Sequence, residues 1–380
     1  MVPFEFSSRT RIVFGLGVLE RLGNLARDLG FKRTLLVADA GVVNAGHAAR
    51  ATRVLAAAGV HSTLFTEFGA NPDSAMVEAG RAFAQPLGLD SVIGLGGGSP
   101  LDCAKGINFL LTNGGSMGDY RGYGKASTPL LPMIGVPTTA GTGSEAQSYA
   151  VIADAATHMK MACGDPSAAV KIALLDPELT LTAPKHVTAM AGFDAIAHAV
   201  ETSVTTRRTP VSDVFSHHAW RLLNDSFERV LMYPSDFEAR SAMLIGSHFA
   251  GMAIEQSMLG AAHACANPLT ARYAMVHGLA LAILLPRVVR WNAATANGQY
   301  ANLLGSPRRR ARDEDAAESV ARRLEDLAVA AELAGSLRDH GVDEAALPEL
   351  AAQAAQQWTG AFNPRPFDAA GALEIYRAAF

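Results

Sequence analysis

The sequence predicts an α/β domain with a parallel sheet, followed by an all-helical domain. In the first part of the chain, short runs rich in β-branched residues alternate with helical stretches, and this succession builds a parallel sheet covered by helices. From Lys185 onward the chain is rich in alanine and leucine, with helical periodicity and almost no strand pattern. We therefore expect residues 1–183 to form the α/β domain and residues 184–380 the helical domain, with Thr182 as the N-cap of the first long helix.

The elements of the α/β domain can be placed from these patterns. The predicted strands cover residues 33–39, 62–65, 91–95 and 131–136, and the predicted helices cover residues 45–58 and 73–83. Ligands of such sheets bind beyond the carboxyl ends of the strands, so the turns that follow the strands are the candidate sites.

Length and charge limit the classes of function. A chain of 380 residues is long enough for two domains, each with its own core. The net charge of −4 is too small to indicate a polyanionic partner, and the one dense basic run, residues 307–312, is followed at once by acidic residues 313–315. We interpret that run as a solvated loop leading into a helix and expect no nucleic-acid partner.

The cysteines and the apolar runs favour a cytoplasmic location. Cys103, Cys163 and Cys265 are an odd number without paired spacing, which is typical of proteins in a reducing compartment. The first residues lack the charged segment and apolar core of a secretory signal, and no apolar run reaches membrane-spanning length. We therefore expect a cytoplasmic protein that does not bind membranes.

Asp194 and His198 are candidate metal ligands. They are four residues apart in an alanine-rich stretch without proline, so on a helix they share one face. His263 and His277 lie downstream in apolar surroundings, where a lone ionisable group would be costly to bury. Three imidazoles and one carboxylate can enclose a divalent cation. The alternative is four unrelated polar residues, each satisfied by its own hydrogen bond.

Two glycine-rich turns are candidate phosphate-binding sites. Residues 96–105, GGGSPLDCAK, follow a strand and open a helix, where glycines allow close backbone approach and free N–H groups favour an anion. The pattern is neither GxGxxG nor a Walker A loop, so a tight turn with a capping serine is equally consistent. Residues 136–145, VPTTAGTGSE, follow another strand and alone could be a turn with local hydrogen bonds. Two such turns together favour a dinucleotide over a mononucleotide.

Asp39 ends the first strong strand. A carboxylate there could accept hydrogen bonds from an adenosine ribose and would repel a 2′-phosphate, which favours NAD over NADP. It could also be the N-cap of the next helix.

Taken together, these motifs resemble the iron-containing (group III) alcohol dehydrogenases, in the superfamily that includes glycerol dehydrogenase and dehydroquinate synthase. The resemblance is collinear over nearly the whole chain. It rests on Phe14-Gly15, residues 96–102, residues 137–145, Asp176-Pro177, the stretch 192–201 (GFDAIAHAVE), His263, His277-Gly278 and residues 363–366 (NPRP). It implies a Rossmann-like α/β N-terminal domain that binds NAD(P) and an all-α C-terminal domain, the dehydroquinate synthase-like architecture.

The resemblance also implies which residues carry the chemistry. Asp194, His198, His263 and His277 would hold one metal ion, usually Fe²⁺ in the family, although such a donor set also accepts Zn²⁺. Tyr149 would lie near the nicotinamide and the substrate. The residues that match the family's cofactor contacts are Asp39, Asn71, Gly97, Gly98, Ser99, Thr138, Thr139, Thr142, Tyr149, Lys160 and Leu179.

One position departs from the family pattern. Many members carry a second histidine four residues after the ligand that matches His263, where it is thought to relay the substrate proton, and this chain has Asn267 instead. An amide forms hydrogen bonds but does not titrate near neutral pH. Proton release would therefore pass through water, the cofactor ribose hydroxyls or another side chain. Asn267 remains a catalytic candidate because its position borders the substrate pocket.

The expected function is reversible hydride transfer between a primary alcohol and NAD⁺, and the family leads us to expect a homodimer. Three alternatives remain open: a glycerol- or hydroxy-acid-type dehydrogenase of the same fold, a lyase or cyclase similar to dehydroquinate synthase, and a non-catalytic protein that binds metal and nucleotide. The lyase is disfavoured because its charged phosphate substrate needs a cationic cleft, and the stretches around the candidate ligands are mostly apolar, with Arg272 as the nearest cation in sequence.

Overall fold

The structure is a computed structural model that describes residues 4–304 and 315–380. The basic run at 307–312, interpreted above as a solvated loop, lies outside the described residues. The chain divides into two compact units, Ser7–Ala183 and Pro184–Phe380, and Phe6 belongs to the second.

The first unit is built on two sheets. Its described strands are β1 (Arg11–Phe14), β2 (Arg33–Val37), β3 (His61–Phe65), β4 (Ser91–Gly96), β5 (Gly122–Tyr123), β6 (Met133–Pro137), β7 (Tyr149–Ala153), β8 (Lys160–Gly164) and β9 (Ile172–Leu175). Six strands form a sheet in the order β1-β9-β6-β4-β2-β3, in which every neighbouring pair is parallel. The other three form a small sheet in the order β5-β8-β7, in which β7 and β8 are antiparallel. The predicted parallel sheet is confirmed, whereas β1, β9 and the small sheet are additions to the prediction.

Helices cover both faces of the large sheet. They are α1 (Leu22–Asp28), α2 (Ala40–Asn44), α3 (His47–Ala57), α4 (Ser74–Ala84) and α5 (Gly98–Asn113). On one face, Ile93 and Leu95 of β4 belong to a hydrophobic cluster that includes Leu22 of α1 and Leu55 of α3. Gly94 lies between them, and a Cβ built on it would be 2.9 Å from the Leu101 side chain of α5. Successive residues of a strand point to opposite faces, so β4 is buried on both sides.

Thr182 is not the N-cap that the sequence predicts for the first long helix. Pro184 occupies that position with an extended backbone (φ −55°, ψ 152°), and no side chain forms a capping hydrogen bond there. Thr182 instead ends a 3₁₀ helix, in which its hydroxyl donates a hydrogen bond of 3.2 Å to the Leu179 carbonyl. The prediction is wrong because this local turn uses the hydroxyl before the long helix begins.

The second unit contains only helices among its described regular elements, which confirms the predicted all-helical part. The α-helices are α6 (Lys185–Thr202), α7 (Pro210–Met232), α8 (Phe237–Ser257), α9 (Ala261–Tyr273), α10 (His277–Leu303), α11 (Ala316–Ala330), α12 (Leu347–Ala354) and α13 (Ala369–Ala379). Every residue of α6 from Gly192 to Thr202 is buried, and α6 packs against α7, α8 and α10. Among the described helices, none is both long and apolar enough to cross a bilayer.

Helix α10 approaches the backbone of α6 closely at Gly278. A Cβ built on Gly278 would lie 2.2 Å from the carbonyl oxygen of Met190. Only glycine allows two helix backbones to come this near, because any side chain would overlap the carbonyl group. The contact fixes the first turn of α10 against the middle of α6.

Candidate active site

Asp194 and His198 lie one turn apart on α6, as their spacing predicts. The Nε2 atom of His198 is 3.2 Å from Oδ1 of Asp194. Both side chains are buried, because the helices packed around α6 enclose this part of it.

Two further helices bring His263 and His277 to the same carboxylate oxygen. His263 lies in the first turn of α9, and His277 is the first residue of α10. Their Nε2 atoms are 3.5 Å and 3.9 Å from Oδ1 of Asp194. The ring of His263 stacks on that of His198 with the centroids 4.8 Å apart, and its centroid is 5.2 Å from that of His277. The four residues predicted to hold a metal ion therefore form one cluster.

The cluster has the donor atoms that a divalent cation requires. Ligand atoms of Asp194, His263 and His277 lie within 4.8 Å of one another. Oδ1 of Asp194 and Nε2 of His263 are buried and make no hydrogen bond of normal geometry, although buried polar atoms in folded proteins are nearly always paired. A cation bound between these two atoms would satisfy both. Imidazole nitrogens with one carboxylate oxygen suit Fe²⁺ or Zn²⁺, so the residues fit the predicted metal.

The charges in the cluster support one another. Burial opposes ionisation of Asp194, but the imidazoles of His198, His263 and His277 lower the pKa of its carboxyl group well below the ordinary range. Burial also opposes protonation of His263, yet the carboxylates of Glu201 and Asp194 raise the pKa of its imidazole to about 9. Asp194 is therefore an anion at neutral pH, ready to neutralise a bound cation.

Glu201 is a site residue that the sequence prediction missed. It follows Asp194 by seven residues on α6, so the two lie on the same face of the helix. Its Oε2 atom contacts Nδ1 of His263, and its Oε1 atom accepts a hydrogen bond of 2.7 Å from the Ala262 N–H. The spacing of two helical turns is the one signal that the sequence offers for this role.

Asn267 lies one turn after His263 on α9 and is buried. Its Nδ2 atom donates a hydrogen bond of 3.0 Å to Oε1 of Gln357. Both partners in this pair are neutral amides, so neither titrates near neutral pH.

In the first unit, the two glycine-rich turns lie side by side. They follow β4 and β6, which are parallel neighbours, so both turns are at the same edge of the sheet. The Thr138 N–H donates a hydrogen bond of 3.0 Å to the Gly96 carbonyl. A Cβ built on Gly98 would be 2.5 Å from Cγ2 of Thr142. The glycine therefore allows the second turn to pack directly on the start of α5.

The first turn opens α5 without the capping serine of the alternative interpretation. Gly97 is the N-cap, and a Cβ on it would be 3.1 Å from Oγ1 of Thr139. Ser99 lies inside the helix, and its hydroxyl accepts a hydrogen bond of 3.1 Å from the N–H of Asn71, which has a φ of 51°. No side chain caps the start of α5, and helix N-termini of this kind bind phosphate groups.

Asp39 lies just beyond β2, the neighbour of β4 in the sheet. Its Oδ1 atom accepts a hydrogen bond of 2.9 Å from the Val42 N–H, so it is the N-cap of α2. This role uses one carboxylate oxygen and is compatible with ribose binding by the other.

Lys105 is a buried cation whose contacts were not foreseen from the sequence. Its Nζ atom donates hydrogen bonds to the carbonyl oxygens of Ser144 (2.7 Å), Gln147 (2.8 Å) and Tyr149 (2.8 Å). These carbonyls replace the water that a buried ammonium group loses. Lys105 therefore links α5 to the second turn and to the start of β7, where Tyr149 lies.

Three of the predicted cofactor contacts, Tyr149, Lys160 and Leu179, belong to elements other than the paired turns. In the β7–β8 ladder, Tyr149 is opposite Gly164 and Lys160 is opposite Ala153, so Tyr149 and Lys160 are at opposite ends. Leu179 is fully buried in the hydrophobic core. The residues gathered around the paired turns are Asn71, Gly97, Gly98, Ser99, Thr138, Thr139 and Thr142.

Comparison with known proteins identifies the family to which both parts of the chain belong. The family profile described as iron-containing alcohol dehydrogenase matches residues 9–177, and the profile described as Fe-containing alcohol dehydrogenase family, C-terminal, matches residues 188–380. The chain belongs to the iron-containing alcohol dehydrogenase family. The resemblance seen in the motifs is thereby confirmed, as is the predicted class of enzyme, an alcohol dehydrogenase.

Individual members of the iron-containing alcohol dehydrogenase family align over most of the chain. Alcohol dehydrogenase 4 of Schizosaccharomyces pombe is 34% identical over 357 residues, which cover 93% of this chain and 83% of that protein. NAD-dependent methanol dehydrogenase of Bacillus methanolicus is 32% identical over 291 residues, which cover 77% of this chain and 76% of that protein. The crystal structure of a 1,3-propanediol oxidoreductase has a TM-score of 0.94 at 31% identity, with 100% of both chains covered.

Membership in the iron-containing alcohol dehydrogenase family overturns the lyase alternative. The local charges agree, because Arg272, the cation nearest the metal ligands in sequence, forms an ion pair with Glu349.

Proposed function

We propose that this alcohol dehydrogenase interconverts a primary alcohol and its aldehyde with NAD as the hydride carrier, at a metal ion held by Asp194, His198, His263 and His277. The observation that supports this most strongly is the convergence of three imidazole Nε2 atoms on one buried carboxylate oxygen. Two of the relatives are named for methanol and 1,3-propanediol, which are primary alcohols, and one is named as NAD-dependent.

The metal is proposed to be Fe²⁺, with Zn²⁺ as the competing ion, because the same donor set accepts both and zinc often binds more tightly. A divalent cation held here would supply Lewis acidity that favours the deprotonated alcohol. Asp194 supplies the negative charge of the site, and the Glu201 carboxylate accepts the hydrogen of Nδ1 of His263, so a cation at Nε2 would displace only the proton on that nitrogen.

The cofactor is proposed to bind at the paired turns of the first unit. NAD supplies the hydride acceptor, and the protein supplies alignment. The glycines at 97 and 98 let the turns pack without side chains in the way, and the uncapped start of α5 offers N–H groups to a pyrophosphate. Asp39, beyond the neighbouring strand, is the proposed acceptor for the adenosine ribose hydroxyls. Lys160 and Leu179 stay predictions drawn from the resemblance.

The substrate proton is proposed to leave without a histidine relay at position 267. The side chain of Asn267 is bound to Gln357, and a pair of amides can orient a neighbour but cannot accept a proton near neutral pH. The proposed path is water, the cofactor ribose hydroxyls or another side chain.

The decisive experiment is metal analysis of anaerobically purified protein, followed by a screen of alcohols with NAD⁺ and aldehydes with NADH. We expect about one Fe²⁺ or Zn²⁺ per chain, because the described residues contain one such cluster, and steady NADH production from a primary alcohol. Glycerol or a hydroxy acid as the best substrate would favour the second dehydrogenase class. A metal-loaded protein without turnover would favour the non-catalytic alternative.

His263→Ala tests the site directly. The variant should lose bound metal and turnover, while NAD binding, followed by calorimetry, stays close to wild type because the proposed cofactor residues are elsewhere in the chain. His186→Ala is the matched control, because His186 is an exposed histidine on α6 and its loss should change neither property. Full turnover by His263→Ala would show that the site assignment is wrong.

The assembly is proposed to be a homodimer formed through β1. This strand is at the edge of the large sheet and pairs on one side only, with β9, among the described strands. Its neighbourhood carries the exposed apolar side chains of Ile12, Phe14 and Leu16, and an apolar sheet edge is a template for pairing with a second copy. Light scattering coupled to size exclusion would measure the mass.

A cytoplasmic location is proposed on the state of the cysteines. Cys103, Cys163 and Cys265 are free and buried. Burial raises the pKa of the Cys103 and Cys163 thiols to about 12, so these side chains are kept as thiols, which suits a reducing compartment.

A further inference from the structure

The helix that carries His263 begins without a cap of its own. Gly260 is the N-cap of α9 and has no side chain to offer, so the first N–H groups of the helix need acceptors from elsewhere. Oδ1 of Asn363 accepts a hydrogen bond of 3.2 Å from the Ala261 N–H. Oε1 of Glu201 accepts one of 2.7 Å from the Ala262 N–H. Two remote side chains therefore share the capping of α9.

A side chain at position 260 would displace both acceptors. A Cβ built on Gly260 would lie 2.9 Å from Oδ1 of Asn363 and 3.0 Å from Oε1 of Glu201. The two carbonyl-type oxygens thus occupy the space that an ordinary capping residue would fill. Glycine at position 260 leaves the space in which the Glu201 carboxylate and the Asn363 amide cap the helix.

Of these two acceptors, Glu201 is the one that also contacts the imidazole of His263. Its Oε2 atom contacts Nδ1 of the ring. A carboxylate oxygen can only accept a hydrogen bond, so the proton of this contact is on Nδ1. The opposite nitrogen, Nε2, then faces Oδ1 of Asp194 at 3.5 Å. One side chain therefore fixes both the start of α9 and the ring that the helix carries.

We propose that Glu201 is a positioning residue of the metal centre, which holds His263 in the tautomer and the orientation that direct the Nε2 lone pair at the cation. The inference rests on the proposed role of His263 as a metal ligand. Histidine ligands generally donate the hydrogen of their other nitrogen to a carboxylate or a carbonyl, and loss of that acceptor lowers metal affinity by about 10–100-fold. Here the acceptor, the Glu201 carboxylate, is buried and is held in place by its hydrogen bond from the Ala262 N–H.

Glu201→Gln separates orientation of the ring from capping of the helix. The carbonyl oxygen of a glutamine can still accept the Ala262 N–H, which turns the amide NH₂ toward Nδ1 of His263. That donor stabilises the other tautomer, with the proton on Nε2, where it blocks the metal. We expect the affinity for Zn²⁺ to fall about 10–100-fold, while the cap on the Ala262 N–H is kept.

Two further variants complete the set. Glu201→Asp keeps the carboxylate but is one methylene shorter, so it should recover part of the affinity and rank between wild type and Glu201→Gln. Asn363→Ala is the matched control, because it removes the other cap of the same helix without contacting the imidazole. It should lower the unfolding midpoint and leave the zinc affinity of the folded protein unchanged.

The measurements are zinc affinity of the full chain by competition with a chelator, and NMR spectra of the zinc-loaded protein with ¹⁵N-labelled histidine. We expect a low-field Nδ1–H resonance of His263 in wild type that is absent from Glu201→Gln. Wild-type affinity in Glu201→Gln, an aspartate variant weaker than the glutamine variant, or an equal loss in Asn363→Ala would each overturn the inference. If wild type itself binds neither Zn²⁺ nor Fe²⁺, the proposed function fails first, and this inference fails with it.

Discussion

Replacing Gly278 by alanine tests whether the approach of α10 to α6 builds the metal centre. Gly278 follows His277, and the Cβ of an alanine there would lie 2.2 Å from the Met190 carbonyl oxygen. Cβ contacts shorter than 3.0 Å are essentially absent from real proteins. The obstructing atom belongs to a helix backbone, so it cannot rotate away. The helices must separate by at least about 0.8 Å, the difference between these two distances.

The loss of stability in Gly278→Ala can be compared with the effect of the same substitution at a glycine of the same helix that has space around it. Gly298 also lies in α10, and a Cβ there meets no atom within 4 Å. Gly298→Ala should therefore stabilise the protein by about 0.5–1 kcal/mol through helix propensity. Both alanines gain the same helix propensity, so the overpacking cost, about 1–3 kcal/mol, is the amount by which Gly278→Ala should be less stable than Gly298→Ala. In a unit of this size the difference corresponds to unfolding midpoints on the order of 2–12 °C apart.

The same displacement should weaken metal binding. Metal–ligand distances tolerate errors of about 0.2 Å, and Gly278→Ala moves His277 relative to Asp194 by several times that amount. We expect the metal content after dialysis against a chelator to fall clearly below that of wild type and of Gly298→Ala. The assays are calorimetric unfolding of the metal-free variants and metal analysis of the dialysed proteins. If Gly278→Ala were as stable as Gly298→Ala and kept its metal, the reasoning from the close approach would be refuted.

Two other predictions concern Asp39 and the surface of the second unit. Asp39→Gly should raise the ratio of kcat/KM for NADP⁺ to that for NAD⁺ by about tenfold or more, because the carboxylate that repels the 2′-phosphate is gone. Glycine as the N-cap lowers the stability of the protein by only a few tenths of a kcal/mol. An unchanged ratio would show that Asp39 does not belong to the nucleotide site. Arg290→Gln should destabilise the protein by about 1 kcal/mol at pH 7, because Arg290 bonds both Glu318 and Glu325 at a partly exposed surface. Hydrogen bonds from Arg290 and Arg322 lower the pKa of Glu318 from 4.5 to about 2, so this stabilisation is present above pH 4.5 and is lost as the pH falls toward 2. Urea midpoints of wild type and Arg290→Gln should therefore differ less at pH 3 than at pH 7, and an equal difference would contradict the assignment.

The strands β2, β3, β4 and β6 and the helical character of the second unit were accessible from the sequence, whereas β1, β9 and the small sheet were not. The strands β2, β4 and β6 each contain a continuous apolar run, and the structure buries almost every residue in them. In β1, the apolar residues Ile12 and Phe14 are exposed. The strand sequence therefore lacks the alternation of apolar and polar residues that is typical of a strand with one buried face. Helix α2 contains a glycine and two valines, which disfavour a helix, and the cap that Asp39 provides compensates for them.

The site shows the same division between local and distant information. The i, i+4 spacing placed Asp194 and His198 on one face of a helix, and the structure confirms that geometry. That His263 joins them follows only from the packing of α9 against other helices, for which the sequence signal was the family resemblance. The partner of Asn267 is 90 residues away, and no local pattern specifies such a contact. For Glu201, the sequence predicts that it shares a helix face with Asp194. It does not predict that its carboxylate accepts a hydrogen bond from His263.

The pairing of β1 with β9 also has a consequence for how the protein is made. Arg11 sits opposite Ile172, so the ribosome adds about 160 further residues before the earliest strand meets its only described neighbour. During that interval a short apolar segment remains unpaired in the nascent chain, which is the kind of segment that aggregates. The first unit therefore closes late in translation, and chaperone supply should limit the yield of this enzyme more than that of a protein whose successive strands pair at once.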